Sequence, residues 1–356
     1  IIGGVHATLD HNVLDKLPSI DFSIQREGEQ AMLELVEGKS PKDIVGLVSR
    51  DGMGLCNNGD AAVLPIDELP FPERDKFYGL TDEEKHMVDV SYICSIRGCP
   101  YRCNYCASPF HWKRDKTQYR SPESVIKEMK LLKENYWSRY KEYDYSASAN
   151  IGKKSSLKIV DNTIVYFVDD VFTIKKPRVK QILRMMIDQN LGMNWKCEAR
   201  TDHLDEEICE LMAQAGCVRV KLGFESGSDK VLKDIQKDET KEDMRIGAKM
   251  LKDAGVPFTA YFMAGFPTET DDDLKETIKF AQEIDADYYS LSVLAPYYGT
   301  KMYYDLIEQG IALDKKPWEY FFHQTADLMV NDKIKKETLD EYLALNALNE
   351  KGKGYV

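Results

Sequence analysis

The sequence predicts an α/β protein whose main part is a partial (β/α)6 barrel of the TIM type. From residue 88 onward, six short β-rich runs alternate with amphipathic, charged helical segments. Alternation of strands and helices implies parallel strands with the helices packed outside. The chain has 356 residues and is 43% hydrophobic, which is enough to bury a sizeable core. We therefore expect one large barrel with an appendage before it.

The composition excludes several classes of protein. Acidic residues outnumber basic ones by 60 to 48, and the net charge of −12 argues against a protein that binds nucleic acid through its phosphates. No apolar run approaches the ~20 residues of a membrane span, so we expect no transmembrane segment. The composition does not exclude a protein that binds at the surface of a membrane. Three of the eight cysteines fall within eight residues, which favours metal binding in a reducing, cytoplasmic compartment over a disulfide framework.

The N-terminal part of the chain predicts a short α/β stretch and then a linker. The predicted elements are, in order, a buried strand end with a loop at 1–4, a strand at 21–25, a helix at 30–38 and a strand at 44–48. The turn-rich, proline-bearing residues 57–72 have the composition of a linker. We place a domain boundary near residues 65–88.

The barrel prediction depends on two sets of segments. The predicted strands are residues 90–95, 163–168, 194–198, 218–223, 257–264 and 287–294. The predicted helices are residues 121–134, 177–189, 205–215, 241–254 and 272–284. An insertion at 136–162 interrupts the alternation, and it is a surface excursion, a substrate lid or an arm that contacts a partner.

Polar residues at the carboxyl ends of the predicted strands mark the expected site. In barrels of parallel strands, chemistry takes place at the carboxyl ends of the strands. The side chains found there are Asp169 and Asp170, Glu198 and Arg200, Glu225, and residues 267–270. We therefore expect these side chains to surround one opening of the barrel.

The strongest chemical signal is a loop of three cysteines directly after the first barrel strand. Cys99, Cys103 and Cys106 have the spacing C-x3-C-x2-C. Three thiolates on one tight loop can hold three irons of a four-iron cluster and leave the fourth iron without a protein ligand. Zinc is the alternative, because His111 could supply the fourth ligand of a closed tetrahedral site.

The cysteine loop, with the aromatic Tyr105 before its last cysteine, resembles the cluster motif of the radical S-adenosylmethionine (radical SAM) enzymes. The resemblance extends over roughly residues 90–310. Similar blocks are RSPE (120–123), FVDDVF (167–172), WKCEARTD (195–202), GFESG (223–227), MAGFPTET (263–270) and APYYGT (295–300). They resemble the branch that carries an N-terminal cobalamin-binding domain and includes C-methyltransferases and the anaerobic porphyrin-ring cyclase.

The resemblance implies a set of cofactors and a reaction type. The three cysteines would ligate a [4Fe-4S] cluster, and the amino and carboxylate groups of SAM would complete the open iron. One electron, from a donor such as flavodoxin or ferredoxin, would cleave SAM to methionine and a 5′-deoxyadenosyl radical. The protein's task is then to position the reactants and to exclude water. The resemblance assigns no further catalytic residue.

The carboxylate of SAM needs a cation, and Arg200 at a strand end suits this role through bidentate pairing. The alternative is that Glu198 or Asp202 satisfies the guanidinium within the protein.

Acceptors are also needed for the ammonium and the ribose hydroxyls of SAM. Asp169, Asp170 and Glu225 are the candidates, and Tyr105 offers a ring near the adenine. The alternative for each acid is an ion pair at the mouth of the barrel.

The N-terminal residues carry the cobalamin prediction. Gly3 and Gly4 resemble the glycine pair that closes the nucleotide-tail pocket of cobalamin-binding domains, although any strand-ending turn can use such a pair. We therefore interpret residues 1–70 as the C-terminal remnant of a Rossmann-like cobalamin-binding domain with its linker. Residues 88–310 form the predicted radical SAM barrel, and residues 311–356 a C-terminal helical extension.

Three functions stay open at the level of sequence. The first is cobalamin-dependent methylation of an unactivated carbon. The second is oxidation, ring formation or rearrangement by an enzyme of the same branch, with or without cobalamin. The third is a non-catalytic metal-binding module.

Tyr297 and Tyr298 could line a pocket for an apolar or planar small-molecule substrate. A Cys94 or Cys197 that faces the barrel interior could donate a hydrogen atom or accept a methyl group, although a buried cysteine in a strand is usually inert.

Overall fold

The computed structural model describes residues 1–74, 91–112, 117–135, 164–317, 320–321 and 329–345. The insertion predicted at 136–162 lies outside the described residues, and so does the end of the predicted C-terminal extension, residues 346–356. No helix in the described ranges has the length and apolar character needed to cross a membrane.

The N-terminal part is a small antiparallel sheet with helices around it. Two short helices, α1 (Gly4–Leu9) and α2 (Val13–Lys16), precede it. Strands β1, β2 and β3 lie side by side in chain order, and helix α3 connects the first two. Their bounds are Phe22–Ile24 for β1, Glu29–Val36 for α3, Leu47–Asp51 for β2 and Gly54–Asn57 for β3.

The strand predicted at 44–48 begins three residues later, at Leu47. The reason is a turn at Gly46, whose φ is +86°. A Cβ at Gly46 would lie 2.6 Å from the Cβ of Ala61. Only glycine combines this left-handed backbone with so close a neighbour, so the chain turns here before it extends.

The prediction for residues 1–4 also needs correction. Ile2 makes only a single parallel bridge, to Ser23. Gly4 then begins helix α1 at once, without the predicted loop. In contrast, the strand predicted at 21–25 and the helix predicted at 30–38 are confirmed as β1 and α3.

The second part of the chain forms a sheet of six parallel strands, as predicted. Each strand lies beside the previous one in chain order. The strands are β4 (Tyr92–Ile93), β7 (Ile164–Phe167), β8 (Asn194–Ala199), β9 (Cys217–Glu225), β10 (Phe258–Ala264) and β11 (Tyr288–Val293). A small antiparallel pair, β5 (Ile96–Arg97) with β6 (Gln118–Tyr119), follows β4.

Helices connect successive strands of this sheet. In chain order they are α4 (Ser108–His111), α5 (Pro122–Asn135), α6 (Lys176–Asp188), α7 (Glu206–Gln214), α8 (Asp229–Asp234), α9 (Lys241–Asp253) and α10 (Asp271–Ile284). Two more, α11 (Lys301–Glu308) and α12 (Lys336–Ala344), follow the last strand. One continuous apolar core lies between the sheet and these helices, with Trp195 and Phe224 fully buried in it. The helices therefore pack against the outer face of the sheet, as predicted for parallel strands.

A buried carboxyl group beside the core makes stability depend on pH. Glu269 is fully buried, and its Oε2 accepts hydrogen bonds from the backbone N–H groups of Gly265, at 2.6 Å, and Phe266, at 3.2 Å. Its Oε1 has no hydrogen-bond partner. Burial raises the pKa of Glu269 from 4.5 to about 7, although the two N–H groups oppose the rise. The folded protein therefore favours the protonated acid.

We expect Glu269→Gln to remove this pH dependence. Because the folded pKa is raised, the contribution of Glu269 to stability is complete below pH 4.5 and is lost as the pH rises through about 7. When the pH rises from 5 to 8.5, the difference in free energy of unfolding between the variant and the wild type should change by about 2–3 kcal/mol in favour of the variant. Denaturant titrations at both pH values measure it, with the exposed Glu276→Gln on α10 as control. If the difference in free energy of unfolding between the variant and the wild type were the same at both pH values, the prediction would be wrong.

Candidate active site

A cavity of about 530 Å³ opens at the carboxyl ends of the parallel strands. All eight residues predicted as cluster or SAM contacts line it: Cys99, Tyr105, Cys103, Cys106, Asp169, Asp170, Arg200 and Glu225. They come from four separate segments of the chain, which the parallel sheet brings to one edge. The expectation that polar strand ends surround one opening agrees with this arrangement for the ends of the second, third and fourth strands, but none of residues 267–270 lines the cavity. The carboxylate of Glu269 instead binds the backbone N–H groups of Gly265 and Phe266.

The cysteine loop is shaped by glycine and fastened by backbone hydrogen bonds. Gly98 has φ +100°, and a Cβ there would lie 3.2 Å from the Cβ of Trp112. The N–H of Cys106 donates to the carbonyl of Cys103 at 3.2 Å, which closes a turn between two of the cysteines. Asn104 donates to the carbonyl of Ile235 at 3.1 Å, and the N–H of Met302 donates to Asn104 at 2.9 Å. The loop is thus held from two sides.

The chemistry of these thiols fits a metal cluster. All three cysteines are free, and burial raises the pKa of Cys99 to about 11 and that of Cys106 to about 12. A lone thiolate is costly in this setting, and bound iron would supply the missing positive charge. In the described ranges, no three His, Cys, Asp or Glu side chains are grouped tightly enough for one metal ion. A four-iron cluster does not need such a group, because each thiolate binds a different iron.

His111, the candidate fourth ligand for zinc, does not line the cavity of the cysteines. It lies buried at the end of α4, and its backbone carbonyl accepts a hydrogen bond from Arg26 at 2.6 Å. Burial and the neighbouring Arg26 and Arg97 lower the pKa of His111 to about 4. The ring packs against Trp112 with its centroid 4.4 Å away. The structure therefore gives His111 no part in the cysteine site.

Two neighbouring acids fasten the two ends of the cysteine loop. Asp169 is fully buried and accepts hydrogen bonds from the backbone N–H of Ser95, at 2.5 Å, and of Ile96, at 2.8 Å. Its second oxygen accepts from the Ser95 hydroxyl at 2.5 Å. Asp170 accepts from the hydroxyl of Ser108, just after the last cysteine, at 2.5 Å. Burial raises the pKa of both acids, that of Asp169 to about 6.

Arg200 lies in the cavity wall, but its donors are mostly engaged within the protein. It forms a bidentate pair with Asp202, at 3.0 Å from Nε and 2.9 Å from Nη2. Nη1 donates to the carbonyl of Lys237 at 2.9 Å, and Nη2 to that of Asp238 at 3.2 Å. The guanidinium also stacks on Tyr101 of the cysteine loop, 3.7 Å from the ring centroid. Arg200 thus joins the cysteine loop to residues 237–238.

Glu225 enters the cavity through an irregular strand end. The register between β9 and β10 shifts between Tyr261 and Phe262, so that Phe262 pairs with Glu225. Glu225 itself has φ +63°, a left-handed conformation that is strained for a residue with a side chain. Burial raises the pKa of Glu225, and Lys237 opposes the rise. Tyr105 donates a hydrogen bond to this carboxylate, and its ring meets Phe266 edge-on, with centroids 5.7 Å apart.

Sequence patterns did not single out three residues of this site. Lys237 is buried in the cavity wall, with Nζ 3.2 Å from Glu239 and 3.8 Å from Glu225. Glu239 accepts hydrogen bonds from the N–H of Thr201 at 2.9 Å and from its hydroxyl at 2.6 Å. Tyr101 lies under Arg200 and hydrogen-bonds His203. The contacts of Glu239 with Thr201 and of Tyr101 with Arg200 join segments more than thirty residues apart, and Lys237 lies near Glu225 across twelve residues, so local spacing carries no signal for them.

A second cavity of about 390 Å³ adjoins the first, and Tyr297 lines both. Its wall includes α1, Ala107 beside the last cysteine, and four aromatic rings, those of Tyr297, Tyr298, Tyr303 and Phe321. Helix α1 approaches closely here, because a Cβ at Gly299 would lie 2.6 Å from the Cβ of Leu9. Gly4 begins this helix with φ +84°, and apart from its chain neighbours and its own helix backbone no described part of the chain lies within 4 Å of the position where its Cβ would be.

Four of the other five cysteines, those that lie beyond residue 90, have ordinary surroundings. Cys197, Cys209 and Cys217 are buried, and burial raises the pKa of each thiol. Cys94 follows β4 directly and donates a hydrogen bond to the carbonyl of Ile96 at 3.2 Å. None of the four lines the cavity of the three loop cysteines.

We expect Gly98→Ala to disturb the cysteine loop. The new methyl group would meet Trp112 at 3.2 Å and Thr117 at 3.3 Å, in addition to the left-handed strain. The strain alone costs about 1–2 kcal/mol. Gly38→Ala is the matched control, because Gly38 has φ +85° and open space around it. Both variants should lose stability in denaturant titrations, but only Gly98→Ala should lower the iron bound per chain. Equal iron in the two variants would contradict this prediction.

Comparisons with known proteins agree with this geometry. The family model described as the radical SAM superfamily matches residues 153–281. An uncharacterised methyltransferase of Pyrococcus horikoshii is 28% identical over 88% of this chain and 64% of its own length. An anaerobic magnesium-protoporphyrin IX monomethyl ester cyclase of Rubrivivax gelatinosus is 25% identical over 90% of this chain and 55% of its own length. The chain thus spans little more than half the length of these relatives.

Solved structures share the fold at low sequence identity. The radical SAM methyltransferase TsrM of Kitasatospora setae, solved with cobalamin and a [4Fe-4S] cluster bound, has a TM-score of 0.68 at 18% identity, over 89% of this chain and 61% of its own. The cobalamin-dependent radical SAM enzyme OxsB has a TM-score of 0.61 at 17% identity, over 99% of this chain and 48% of its own. These structures share the fold, and the family model and the curated relatives make the chain similar to proteins of the radical SAM superfamily.

Proposed function

We propose that this protein cleaves SAM at a [4Fe-4S] cluster and uses the resulting radical in cobalamin-dependent methylation of an unactivated carbon. One observation carries the proposal. One loop, held in place by hydrogen bonds, carries three free cysteines. These cysteines line a single cavity together with the acidic and basic side chains that follow the parallel strands. A non-catalytic metal-binding module would not need these charged side chains around its metal.

Cys99, Cys103 and Cys106 would hold the cluster in this proposal. When bound, the cluster supplies the electron that splits SAM into methionine and a 5′-deoxyadenosyl radical. The protein's residues bind and orient the reactants. Asp170, Glu225 and Tyr105 would contact SAM, because each presents a polar atom or a ring to the cavity. Asp169 and Arg200 would act mainly by holding the cysteine loop and the segment at 237–238 in place.

The proposed organisation has three parts. Residues 1–70 would be the remnant of a Rossmann-like cobalamin-binding domain with its linker, residues 88–310 a partial (β/α)6 barrel, and residues 311–356 a helical extension. The open space at Gly4 and the left-handed backbone there support a close approach of a cobalamin nucleotide tail to Gly3 and Gly4. When bound, cobalamin supplies the methyl group that is transferred.

The second cavity supports a substrate class. Four aromatic rings form much of its wall, and Tyr297 places it directly beside the cysteine cavity. Aromatic walls of this kind suit an apolar or planar small molecule. We propose that such a substrate lies here, with its reacting carbon toward the cysteines. The same cavity favours a second candidate function, oxidative ring formation on a planar substrate, and the similarity to the anaerobic cyclase agrees with it.

The remaining partners follow from charge and thiol chemistry. A donor such as flavodoxin or ferredoxin would supply the electron. The net charge of −12 opposes binding to nucleic acid. All eight cysteines are free, which suits the reducing cytoplasm.

The test is anaerobic reconstitution with iron, sulfide and hydroxocobalamin, followed by product analysis by mass spectrometry. A protein that keeps cobalamin and adds 14 mass units to an apolar or planar acceptor, as one methyl replaces one hydrogen, would support methylation. A loss of two mass units, with or without cobalamin, would instead support oxidative ring formation. A protein that neither retains cobalamin nor cleaves SAM would contradict both functions.

A further inference from the structure

The N-terminal part of the chain binds the segment that carries the three cluster cysteines. This cysteine segment runs from β5 to β6, and its ends, Arg97 and Gln118, pair directly across the two strands. Glu27 is buried and contacts both of them. Its Oε2 accepts a hydrogen bond from Nη1 of Arg97 at 3.1 Å, and its Oε1 accepts one from Nε2 of Gln118 at 3.0 Å. A single carboxylate therefore joins the two ends of the cysteine segment.

Further contacts fix this carboxylate and its arginine. Oε2 of Glu27 also accepts from the backbone N–H of Leu64 at 3.2 Å. Nη2 of Arg97 donates to Glu29, in the first turn of α3, at 2.5 Å. Arg97 immediately precedes the loop glycine, Gly98, and the first cysteine follows that glycine. The entrance to the cysteine loop is thus held by two acids of the N-terminal part.

Arg26, one residue earlier, binds the middle of the same segment. Helix α4 begins two residues after Cys106, and the last carbonyls of a helix have no partner within the helix. Nη1 of Arg26 donates to the carbonyls of Phe110 and His111, the second at 2.6 Å. Its Nε pairs with Asp60 at 3.2 Å. Arg26 therefore caps the helix that follows the last cysteine.

The backbone of Arg26 is strained and held in place. Its φ is +65°, a left-handed conformation. Its N–H donates to the hydroxyl of Thr8, on helix α1, at 2.8 Å. Such strain persists only where the surroundings fix the residue, and it is frequent at functional sites. Arg26 thus joins α1 to α4, and together with Glu27 it forms a clamp on the cysteine segment.

We infer that Arg26 and Glu27 are positioning residues for the cluster, which hold the cysteine segment in the geometry that SAM cleavage needs. The inference rests on the proposed function and deepens it. Asp169 and Asp170 hold the same loop from the side of the barrel, so the loop lies between two sets of anchors. An error of about 1 Å in the position of reacting groups can slow a reaction about 100-fold. The N-terminal part therefore contributes to the rate of SAM cleavage itself, whether or not it holds cobalamin.

Two arginine variants separate this role from a general loss of stability. Arg26→Met removes the donors to α4 and keeps an unbranched side chain. Arg50→Met is the matched control, because Arg50 also binds carbonyls at the end of a helix, those of Leu14 and Leu17 at α2, and its hydrogen bonds stay within the N-terminal part. Both variants should lose stability in denaturant titrations.

The deciding readout is the rate of 5′-deoxyadenosine formation per cluster. It is measured on the full chain after anaerobic reconstitution and reduction, with iron and sulfide counted in the same sample. Arg26→Met should lower this rate about 10- to 100-fold and change the electron paramagnetic resonance spectrum of the reduced cluster with SAM. Arg50→Met should keep the rate and the spectrum of the wild type.

An exchange of two side chains tests the other half of the clamp. Glu27→Gln leaves one oxygen for three donors and removes the charge that pairs with Arg97, so it should lower the rate per cluster about 10-fold. The double variant Glu27→Gln with Gln118→Glu returns a carboxylate to this contact, from the position opposite Arg97. It should restore the rate per cluster to within about threefold of the wild type.

Each outcome decides the inference. A lower rate per cluster in Arg26→Met, with an unchanged rate in Arg50→Met, supports it. Equal rates per cluster in the two arginine variants overturn it, even if both variants bind less iron. If Arg26→Met holds no cluster, the exchange decides, because recovery in the double variant supports the inference and a lack of recovery overturns it. A wild-type protein that holds its cluster but leaves SAM intact would contradict the proposed function, and the inference with it.

Discussion

Cys103→Ala is expected to abolish SAM cleavage, because it removes one of three protein ligands from the cluster. A cluster held by only two thiolates loses iron during reconstitution. We expect the rate of 5′-deoxyadenosine formation to fall at least about 100-fold, which corresponds to ~2.7 kcal/mol in the barrier. Iron and sulfide analysis and the low-temperature electron paramagnetic resonance spectrum of the reduced protein report the cluster directly.

Cys56→Ala is the matched control for this experiment. Cys56 is also a free thiol, but it lies in β3 and makes a hydrogen bond to Asn58 at 3.3 Å, away from the cavity. The variant should keep full iron content and full cleavage. If Cys103→Ala retained the spectrum and activity of the wild type, the assignment of the cluster ligands would be wrong.

Asp169→Asn is expected to have the second largest effect, through the position of the cysteine loop. Both oxygens of Asp169 accept hydrogen bonds, two at Oδ1 from backbone N–H groups and one at Oδ2 from the Ser95 hydroxyl. Asparagine has only one oxygen and no negative charge, so the two backbone N–H groups lose their charged acceptor, and the Ser95 hydroxyl must turn to accept from the NH₂ group. A lost hydrogen bond to a charged group costs about 1.5–3 kcal/mol. We expect the free energy of unfolding to fall by about 2 kcal/mol and the bound iron to fall with it.

Asp170→Asn gives the comparison within the same sequence block. Asp170 accepts one hydrogen bond from the loop, from the Ser108 hydroxyl at 2.5 Å, and an asparagine carbonyl can keep that bond. Its iron content and stability should stay near those of the wild type, while SAM binding weakens if Asp170 contacts the ligand as proposed. Equal iron loss in the two variants would refute the separate role assigned to Asp169.

Much of the fold was predictable because apolar runs, glycines and helix caps mark its elements within short stretches of sequence. The run at 257–264 is apolar and bounded by Gly255 and Gly265, and the strand occupies Phe258–Ala264. Helix α10 begins where Thr270 and Asp273 form a capping box, a pattern visible in the sequence. The strand predicted at 44–48 was wrong at its start, because the decisive contact of Gly46 is with Ala61, a neighbour in space that the local sequence does not reveal.

The sequence predicted which residues line the candidate site, but not which of them contact one another. Residues that end strands fall on one edge of the sheet, so Asp170, Arg200 and Glu225 could be grouped from the sequence. The preference of Arg200 for Asp202 was one of two alternatives, and the structure favours it. Lys237 could not be found, since its place in the cavity depends on a left-handed loop and on contacts across 12 or more residues.

The central claim is that the three loop cysteines hold a four-iron cluster at which SAM is cleaved. The most direct measurement is the amount of 5′-deoxyadenosine formed from SAM by the anaerobically reconstituted, reduced protein, with iron and sulfide counted in the same sample. We predict about four irons and four sulfides per chain, the composition of a [4Fe-4S] cluster, and reductant-dependent 5′-deoxyadenosine. A colourless protein that retains zinc in place of iron and leaves SAM intact would contradict the account.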